Sequence, residues 1–296
     1  MDVVALIDSD DTHRAAAEAA LRAGGYEVFT ASDGITGLKL VREKRPAIVV
    51  TEIMLPGMHG FTLCQEIRSD PELRRGCRII VASSKSYPVD INKALELGAI
   101  SYLVKPFSPE HLVDQVHKAR AKVPIPENEV SRLAALRGFR VLDTAPDPLF
   151  DGLTYLASVI CGTPVALISL VDSDRQWFKS KVGTELQQTA RDLAFCAHAI
   201  MQPDVFIVPD ASKDERFRSN VLVTVEPRIR FYAGAPLITP GGEAIGTLCV
   251  IDKVPRQLSP AQVESLRIIA RQVQALFELR REVAELEERV GQLTKT

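Results

Sequence analysis

Residues 49–60 read VVTEIMLPGMHG, an apolar run that ends on one acid, Glu52, and continues into a Met-x-Pro-Gly turn. Five runs of this kind, each short and mostly apolar, have the length of strands that are covered on both faces. They span residues 3–7, 26–30, 47–51, 78–83 and 101–104. Helical stretches alternate with them, so the first half of the chain predicts repeated right-handed βα units. We expect an α/β doubly wound domain with a five-stranded parallel sheet.

The working site of such a sheet lies at the carboxyl ends of its strands. The chain places acidic, hydroxyl and ammonium side chains at those ends, so we expect them to converge. The residues are Asp8, Ser9, Asp10, Glu52, Ser83 and Lys105.

Residues 1–121 resemble a receiver domain of two-component response regulators in the stretches LIDSDD, TEIMLPGMHG and SYLVKPF. The resemblance implies that two adjacent acids and an aspartate after the third strand hold Mg²⁺. It also implies that this aspartate accepts a phosphoryl group from a histidine kinase. Asp8 matches the first acid of the family pattern.

Four further positions match the family pattern. The resemblance implies that Ser83 and Lys105 bind phosphoryl oxygens. It also implies that Tyr102 is the aromatic residue that moves with the hydroxyl, and that Pro106 follows a cis peptide bond.

Two positions depart from the pattern. Glu52 stands where the phosphoacceptor aspartate belongs, and Ser9 stands where the second metal-binding acid belongs. Losing one acid lowers the affinity for Mg²⁺, so we expect at most a weak site at Asp8, unless Asp10 swings in to replace Ser9. Phosphoryl transfer depends on positioning and charge neutralisation, so transfer to the displaced carboxylate of Glu52 should be very slow.

Two hypotheses account for Glu52. Its longer side chain could bring the carboxylate toward Lys105 and Ser83 and partly imitate the phosphorylated state, although it carries less charge than a phosphoryl group. Alternatively, the site has decayed and Glu52 merely pairs with a buried Lys105. Both hypotheses predict a receiver that phosphate does not switch. It would bind a signalling partner through the face of its fourth helix, fifth strand and fifth helix.

The stretch VPIPENEV separates this domain from a second one. Its two prolines hold residues 122–126 extended, so we interpret this segment as a short stiff linker. Residues 127–280 begin with amphipathic helices. Strand-like pairs then follow at 165–171 with 177–182 and at 231–237 with 244–251, each pair around a polar turn. Sequential hairpins with helices at both ends predict an α+β domain with an antiparallel sheet.

Residues 127–280 resemble a GAF domain in the stretches LISLVDSDRQWFKSKVG, FCAHAIM, VPDASKDERFRSNVLV, IRFYAGAPL and GTLCVID. The resemblance implies a pocket between one sheet face and covering loops, but it names no ligand. The patterns typical of cyclic-nucleotide, bilin, haem and zinc sites are not met, so we expect no cofactor. The candidate pocket residues are Phe195, Cys196, His198, Arg230, Phe231 and Tyr232.

Residues 259–296 predict one long helix that starts at the N-cap Ser259. Its apolar residues step by three and four, and valine at a with leucine at d favours a parallel two-stranded coiled coil. We therefore expect a homodimer through the GAF domain and this helix. The alternative is a solvated tail or the stub of a signalling helix. The predicted dimer residues are Leu276, Leu279, Val283, Leu286, Val290 and Leu293.

Composition and motifs restrict the function further. The 296 residues carry a formal net charge of -2 and no long basic run, so we expect no nucleic-acid or membrane partner. The five scattered cysteines indicate reduced thiols in the cytoplasm.

No motif of hydrolases or transferases occurs, so the sequence predicts a signalling protein that is not an enzyme. Its partner would be a histidine kinase or a downstream effector. A conventional phosphorylated regulator in a phosphorelay with GAF output, and a small-ligand sensor with a structural receiver, remain alternatives.

Overall fold

The computed structural model describes residues 2–120 and 123–293. The chain forms two compact units, one holding most of the residues up to 120 and the other most of those from 123 onward. The predicted boundary at residues 121 and 122 and the last three residues of the predicted 259–296 segment lie outside the described residues. No helix among the described residues is both long and apolar enough to cross a bilayer.

The first fold is a parallel five-stranded sheet, as the sequence predicted. Its strand order is β2-β1-β3-β4-β5. Its elements are β1 (Val3–Ile7), α1 (Asp11–Ala23), β2 (Glu27–Ala31), α2 (Gly34–Lys44), β3 (Ile48–Thr51), α3 (Gly60–Ser69), α4 (Pro71–Gly76), β4 (Arg78–Ser83), α5 (Pro88–Glu96), β5 (Ala99–Val104) and α6 (Pro109–Ala119). The short α4 follows α3 directly, so the predicted fourth and fifth helices are α5 and α6 here.

Local chemistry explains where these helices start. The side chains of Asp10, Asp33 and Ser108 each accept a hydrogen bond from a backbone N–H in the first turn of α1, α2 and α6. At Gly60, which opens α3, an added Cβ would lie 2.1 Å from the carbonyl oxygen of Glu52. Only glycine allows the chain after β3 to fold back so closely, and this turn holds Glu52 at the edge of the sheet.

The later part of the chain contains a six-stranded sheet in the order β8-β7-β6-β11-β10-β9. Its elements are α7 (Glu129–Gly138), α8 (Pro148–Cys161), β6 (Val165–Val171), β7 (Arg175–Val182), β8 (Gln188–Ala190), a 3₁₀ turn (Arg191–Leu193), α9 (Phe195–Ala199), β9 (Phe206–Val208), α10 (Val221–Thr224), β10 (Phe231–Ile238), β11 (Ala244–Asp252) and α11 (Pro260–Leu293). The sequence missed β8 and β9, because three residues are too few to show alternation.

The two faces of the antiparallel sheet differ in chemistry. One face packs against α7, α8 and α11 in an apolar core that includes Phe150, Phe231, Leu248 and Phe277. Side chains alternate along a strand, so the neighbours of these core residues point to the other face. There the strands carry Ser169, Tyr232, Thr247 and Cys249, all of them buried. A polar, covered sheet face is therefore the second place to look for a site.

Candidate functional site

Lys105 joins two carboxylates at the carboxyl edge of the parallel sheet. Its Nζ lies 2.6 Å from Oδ2 of Asp8 and 2.8 Å from Oε2 of Glu52. Asp8 and Glu52 are 2% and 7% exposed. Burial alone would lower the pKa of Lys105, but hydrogen bonds to the two carboxylates outweigh it and leave the pKa raised. The ammonium is therefore charged and bridges the ends of β1 and β3.

The Glu52 carboxylate has a second set of donors. Its Oε1 accepts hydrogen bonds from the backbone N–H groups of Ile53 at 2.7 Å and Met54 at 3.4 Å. Backbone donors hold one oxygen while Lys105 holds the other. The Glu52–Lys105 pair is the contact that both hypotheses for this site require.

His13 is a member of this cluster that sequence reasoning missed. Its Nδ1 lies 2.7 Å from Oδ2 of Asp8, on the side chain that Lys105 also contacts. The backbone N–H of Asp10 donates to Oδ1 of Asp8 at 3.1 Å. A signal was present, because His13 falls in the first turn of the helix that begins immediately after the acidic loop.

The residues at this edge fit Mg²⁺ poorly. One oxygen of Asp8 already contacts Lys105 and His13, and the side chain of Asp10 is bound to the His13 backbone N–H at 2.9 Å as the N-cap of α1. Ser9 offers only a neutral, exposed hydroxyl, whereas Mg²⁺ prefers an octahedron that includes carboxylates. Within residues 2–120 and 123–293, no group of three or more acidic, histidine or cysteine side chains could hold a metal ion.

The remaining predicted residues of this site line the loop after β4. The hydroxyl of Ser83 accepts a hydrogen bond from the backbone N–H of Lys85 at 3.3 Å. The hydroxyl of Tyr102 donates to the Lys85 carbonyl at 2.7 Å, and burial raises the pKa of this phenol. The peptide bond between Lys105 and Pro106 is cis. Tyr102 thus lies inside, bound to the loop that carries Ser83.

Only some of the residues predicted to line the pocket of the second domain lie together. Phe195, Cys196 and Tyr232 are buried together, with the ring of Phe195 stacked 4.0 Å from Phe217 and 5.2 Å from Tyr232. His198 lies edge-on to Phe217 at 4.8 Å. Burial, with the charge of nearby Arg216, lowers the pKa of His198 to about 4. Aromatic rings therefore fill the space between this sheet face and the segments that cover it.

Two of the predicted pocket residues lie elsewhere. Phe231 belongs to the apolar core on the helix side of the sheet, because it precedes Tyr232 on β10 and must point the other way. Arg230 donates to the carbonyls of Arg228 and Ile229 at 3.3 and 3.0 Å, next to its own position in the chain. A cavity of about 290 Å³ lies on the helix side, where Phe150, Lys179 and Phe277 line it.

Comparison with known families identifies both folds. The profile described as response regulator receiver domain matches residues 4–117, and the GAF domain profile matches residues 129–276, half of the chain. The chain belongs to the response-regulator and GAF families. It is a signal-transduction protein of the two-component type in which a receiver domain precedes a GAF domain.

Relatives share parts of this arrangement. Cyclic di-GMP phosphodiesterase PA2567 of Pseudomonas aeruginosa is 44% identical over 172 residues, which are 58% of this chain and 29% of that protein. Transcriptional regulatory protein AfsQ1 of Streptomyces coelicolor is 42% identical over 106 residues, 36% of this chain and 45% of that protein. The chain therefore spans less than half the length of either relative.

Two further comparisons concern a response regulator and a solved structure. The DNA-binding response regulator MtrA of Mycolicibacterium smegmatis is 33% identical over 182 residues, 60% of this chain and 75% of that protein. The chemotaxis response regulator CheY4 of Vibrio cholerae is 27% identical. It covers 40% of this chain and 98% of its own, with a TM-score of 0.39.

The prediction that the chain is not an enzyme is wrong by this comparison. The relative that is 44% identical is named a phosphodiesterase, although the match covers only part of each chain. The prediction rested on the absence of common hydrolase and transferase motifs. Such motifs test only for the chemistries that they describe, so their absence did not support the broader conclusion.

Proposed function

We propose that the receiver domain works without phosphorylation and acts as a protein-interaction module coupled to a dimeric GAF domain. The observation that carries the proposal is the bridge of Lys105 between Glu52 and Asp8, at 2.8 and 2.6 Å. In the receiver pattern the lysine at this position binds phosphoryl oxygens. Here two carboxylates of the chain itself already engage its ammonium.

The geometry also disfavours Glu52 as a phosphoacceptor. One carboxylate oxygen is held by backbone N–H groups and the other by Lys105, so an attack on a phosphoryl donor would first have to break a buried ion pair. Lys105 and His13 both contact one oxygen of Asp8, so Mg²⁺ would have to displace them to bind there. Phosphoryl transfer relies on a positioned metal and nucleophile, and the contacts of Asp8 and Glu52 disfavour both.

A phosphorylation assay with a gain-of-function control tests this proposal. The purified full chain is incubated with Mg²⁺ and acetyl phosphate, and acid-labile phosphate is measured. We expect none on the natural sequence and substantial labelling of a variant that restores both acids, Ser9→Asp with Glu52→Asp. Labelling of the natural sequence that Glu52→Gln abolishes would overturn the proposal in favour of a conventional phosphorelay regulator.

The C-terminal helix supports the dimer. Leu279, Val283, Leu286 and Val290 are 55%, 40%, 56% and 59% exposed on α11, whereas Leu276 packs against the GAF core. Four exposed aliphatic residues at coiled-coil spacing favour a second copy as their cover. The side chain of Leu293, the last predicted dimer residue, lies outside the described residues. Sedimentation should show a dimer that Leu286→Lys dissociates, and an unchanged monomer would contradict this part of the proposal.

The partner of the receiver is proposed to be a signalling protein, a histidine kinase or a downstream effector, bound at α5, β5 and α6. Tyr87 and Val89 at the start of α5 are 66% and 72% exposed, which suits a contact surface. The low net charge gives no support to nucleic acid as a partner.

A second candidate function is a role in cyclic di-GMP turnover. The specific observation in its favour is the 44% identity to a protein that is named a phosphodiesterase of this nucleotide. Incubation of the full chain with cyclic di-GMP and Mg²⁺ or Mn²⁺, followed by chromatography of the nucleotides, tests catalysis directly. Unchanged nucleotide after hours at micromolar protein would exclude hydrolysis by this chain alone.

A further inference from the structure

Two cysteines meet on the polar face of the GAF sheet. The Sγ atoms of Cys196 on α9 and Cys249 on β11 are 3.9 Å apart, and the two residues are 2% and 0% exposed. The other three cysteines lie away from this face, Cys64 and Cys77 in the receiver domain and Cys161 in the apolar core. The Cys196–Cys249 pair is therefore separate from the other three thiols.

The two thiols have different surroundings. The hydroxyl of Thr247 donates a hydrogen bond to the sulfur of Cys196 at 3.1 Å, and that of Tyr232 donates at 3.4 Å. Burial alone would raise the pKa of Cys196, but hydrogen bonds from Cys249 and from the surrounding hydroxyls outweigh it and lower the pKa. The hydrogen bond to Cys196, together with burial, raises the pKa of Cys249 well above its ordinary value. Cys196 is thus the sulfur that accepts hydrogen bonds from the neighbouring hydroxyl groups.

Gly234 on β10 leaves space for the phenol of Tyr232 beside the two thiols. A Cβ at Gly234 would lie 2.2 Å from the phenolic oxygen of Tyr232, so the phenol passes directly over this glycine on its way to Cys196. Gly234 is paired with Cys249 in the register of β10 and β11. The phenol, the thiols and the glycine therefore form one fitted set of residues.

We propose that Cys196 and Cys249 form a redox site that hydrogen peroxide converts to an intrachain disulfide. The Cys196 thiolate attacks one oxygen of the peroxide, the O–O bond breaks, and the departing hydroxide takes up a proton as water. The product is a sulfenic acid on Cys196. The sulfur of Cys249 then attacks that of Cys196, the S–O bond breaks, and the hydroxide leaves with the Cys249 proton as a second water. The proposal goes beyond the proposed function and depends on neither the receiver nor the dimer.

Two structural consequences follow from the geometry. The sulfurs must approach by about 1.9 Å to reach the normal disulfide length. The bond would tie α9 to the central strand β11 and remove the acceptor of Thr247 and Tyr232, so oxidation changes the packing under the covering segments. Because both thiols are buried, the site should take small peroxides and exclude bulky ones such as cumene hydroperoxide.

Peroxide titration of the natural full-length protein tests the proposal. After treatment, free thiols are alkylated in denaturant, and disulfides are mapped by proteolysis and mass spectrometry. We expect a Cys196–Cys249 peptide that forms at least about ten-fold faster than Cys161 is oxidised and that dithiothreitol reverses. Cumene hydroperoxide should form it at least about ten-fold more slowly.

Variants separate the two roles. Cys249→Ser should stop the reaction at the sulfenic acid, so that dimedone added together with denaturant labels Cys196, and Cys161→Ala should behave as the natural protein. Circular dichroism verifies that each variant is folded, and the result on the natural protein does not depend on them. Alkylation of both thiols after peroxide treatment, or oxidation of the pair no faster than of Cys161, would overturn the proposal.

Discussion

The two sheets each bury a polar cluster, and the clusters are built in opposite ways. At the edge of the parallel sheet, Asp8, Glu52 and Lys105 are held together by full charges at 2.6 to 2.8 Å. On the face of the antiparallel sheet, Cys196 and Cys249 are held by weak donors at 3.1 to 3.9 Å. The first cluster depends on charge pairing, whereas the second depends on steric fit. Variants should therefore disturb them in different ways.

The largest effect should follow removal of the shared ammonium. Lys105→Ala leaves two buried carboxylates without their common partner, so we expect the free energy of unfolding to fall by about 3 kcal/mol. Urea denaturation measures this change. Lys118→Ala removes an exposed pair with Asp114 and should cost less than about 0.5 kcal/mol. Equal effects of the two variants would show that the receiver cluster is no tighter than a surface pair.

Steric fit at the second cluster is tested at Gly234. An added methyl group would displace the phenol of Tyr232, so Gly234→Ala should destabilise the protein by about 1–3 kcal/mol. Gly152 in α8 has no atom within 4 Å of the position of an added Cβ, so Gly152→Ala should stabilise it by about 0.5–1 kcal/mol. Urea denaturation of both variants measures whether the free energy of unfolding falls in Gly234→Ala and rises in Gly152→Ala. A neutral Gly234→Ala would contradict the fitted arrangement.

Acid should distinguish the clusters as well, because His198 beside the second cluster is kept neutral. Burial lowers its pKa from 6.5 to about 4, so the unfolded chain binds a proton there before the folded one does. This contribution to stability is complete above pH 6.5 and is lost as the pH falls through 4. It amounts to about 2 kcal/mol after allowance for partial exposure. Urea denaturation should show that the free energies of unfolding of the natural protein and of His198→Gln differ less at pH 4 than at pH 7.5. The same difference at both pH values would refute this.

The smallest effect should come from charges that are not buried at all. Glu282 and Glu287 are exposed on α11 and would face each other as like charges in the parallel dimer. Glu282→Lys should therefore strengthen dimerisation by about 0.3–1 kcal/mol, an effect that high salt removes. Sedimentation equilibrium at low and high salt measures it. A weaker dimer at low salt would indicate a different helix register or orientation.

The contrast also explains what the sequence could predict. Strand ends in a parallel sheet meet whatever the exact register, so reading Asp8, Glu52 and Lys105 off three separate strands was enough to place them together. Residues on a sheet face meet only if register and bulges are known. The sequence could not show that Gly234 is paired with Cys249. Alternation along the predicted strand did imply that Phe231 and Tyr232 point to opposite faces, so Phe231 should not have been assigned to the pocket. The position of His13 in the first turn of α1 was a signal, but its contact with Asp8 also depends on the direction in which α1 leaves the acidic loop.

One consequence of the C-terminal helix concerns how a change inside the GAF domain could be transmitted. Phe277 is buried midway along α11, while the apolar residues Leu279, Val283, Leu286 and Val290 beyond it are exposed on the same continuous helix. The helix continues for about 24 Å beyond Phe277. Because α11 is one continuous hydrogen-bonded helix, an axial rotation at Phe277 would also turn the exposed apolar residues beyond it away from a facing copy. A change in packing around Phe277 in the GAF core would then alter how the far end of α11 pairs with a second copy.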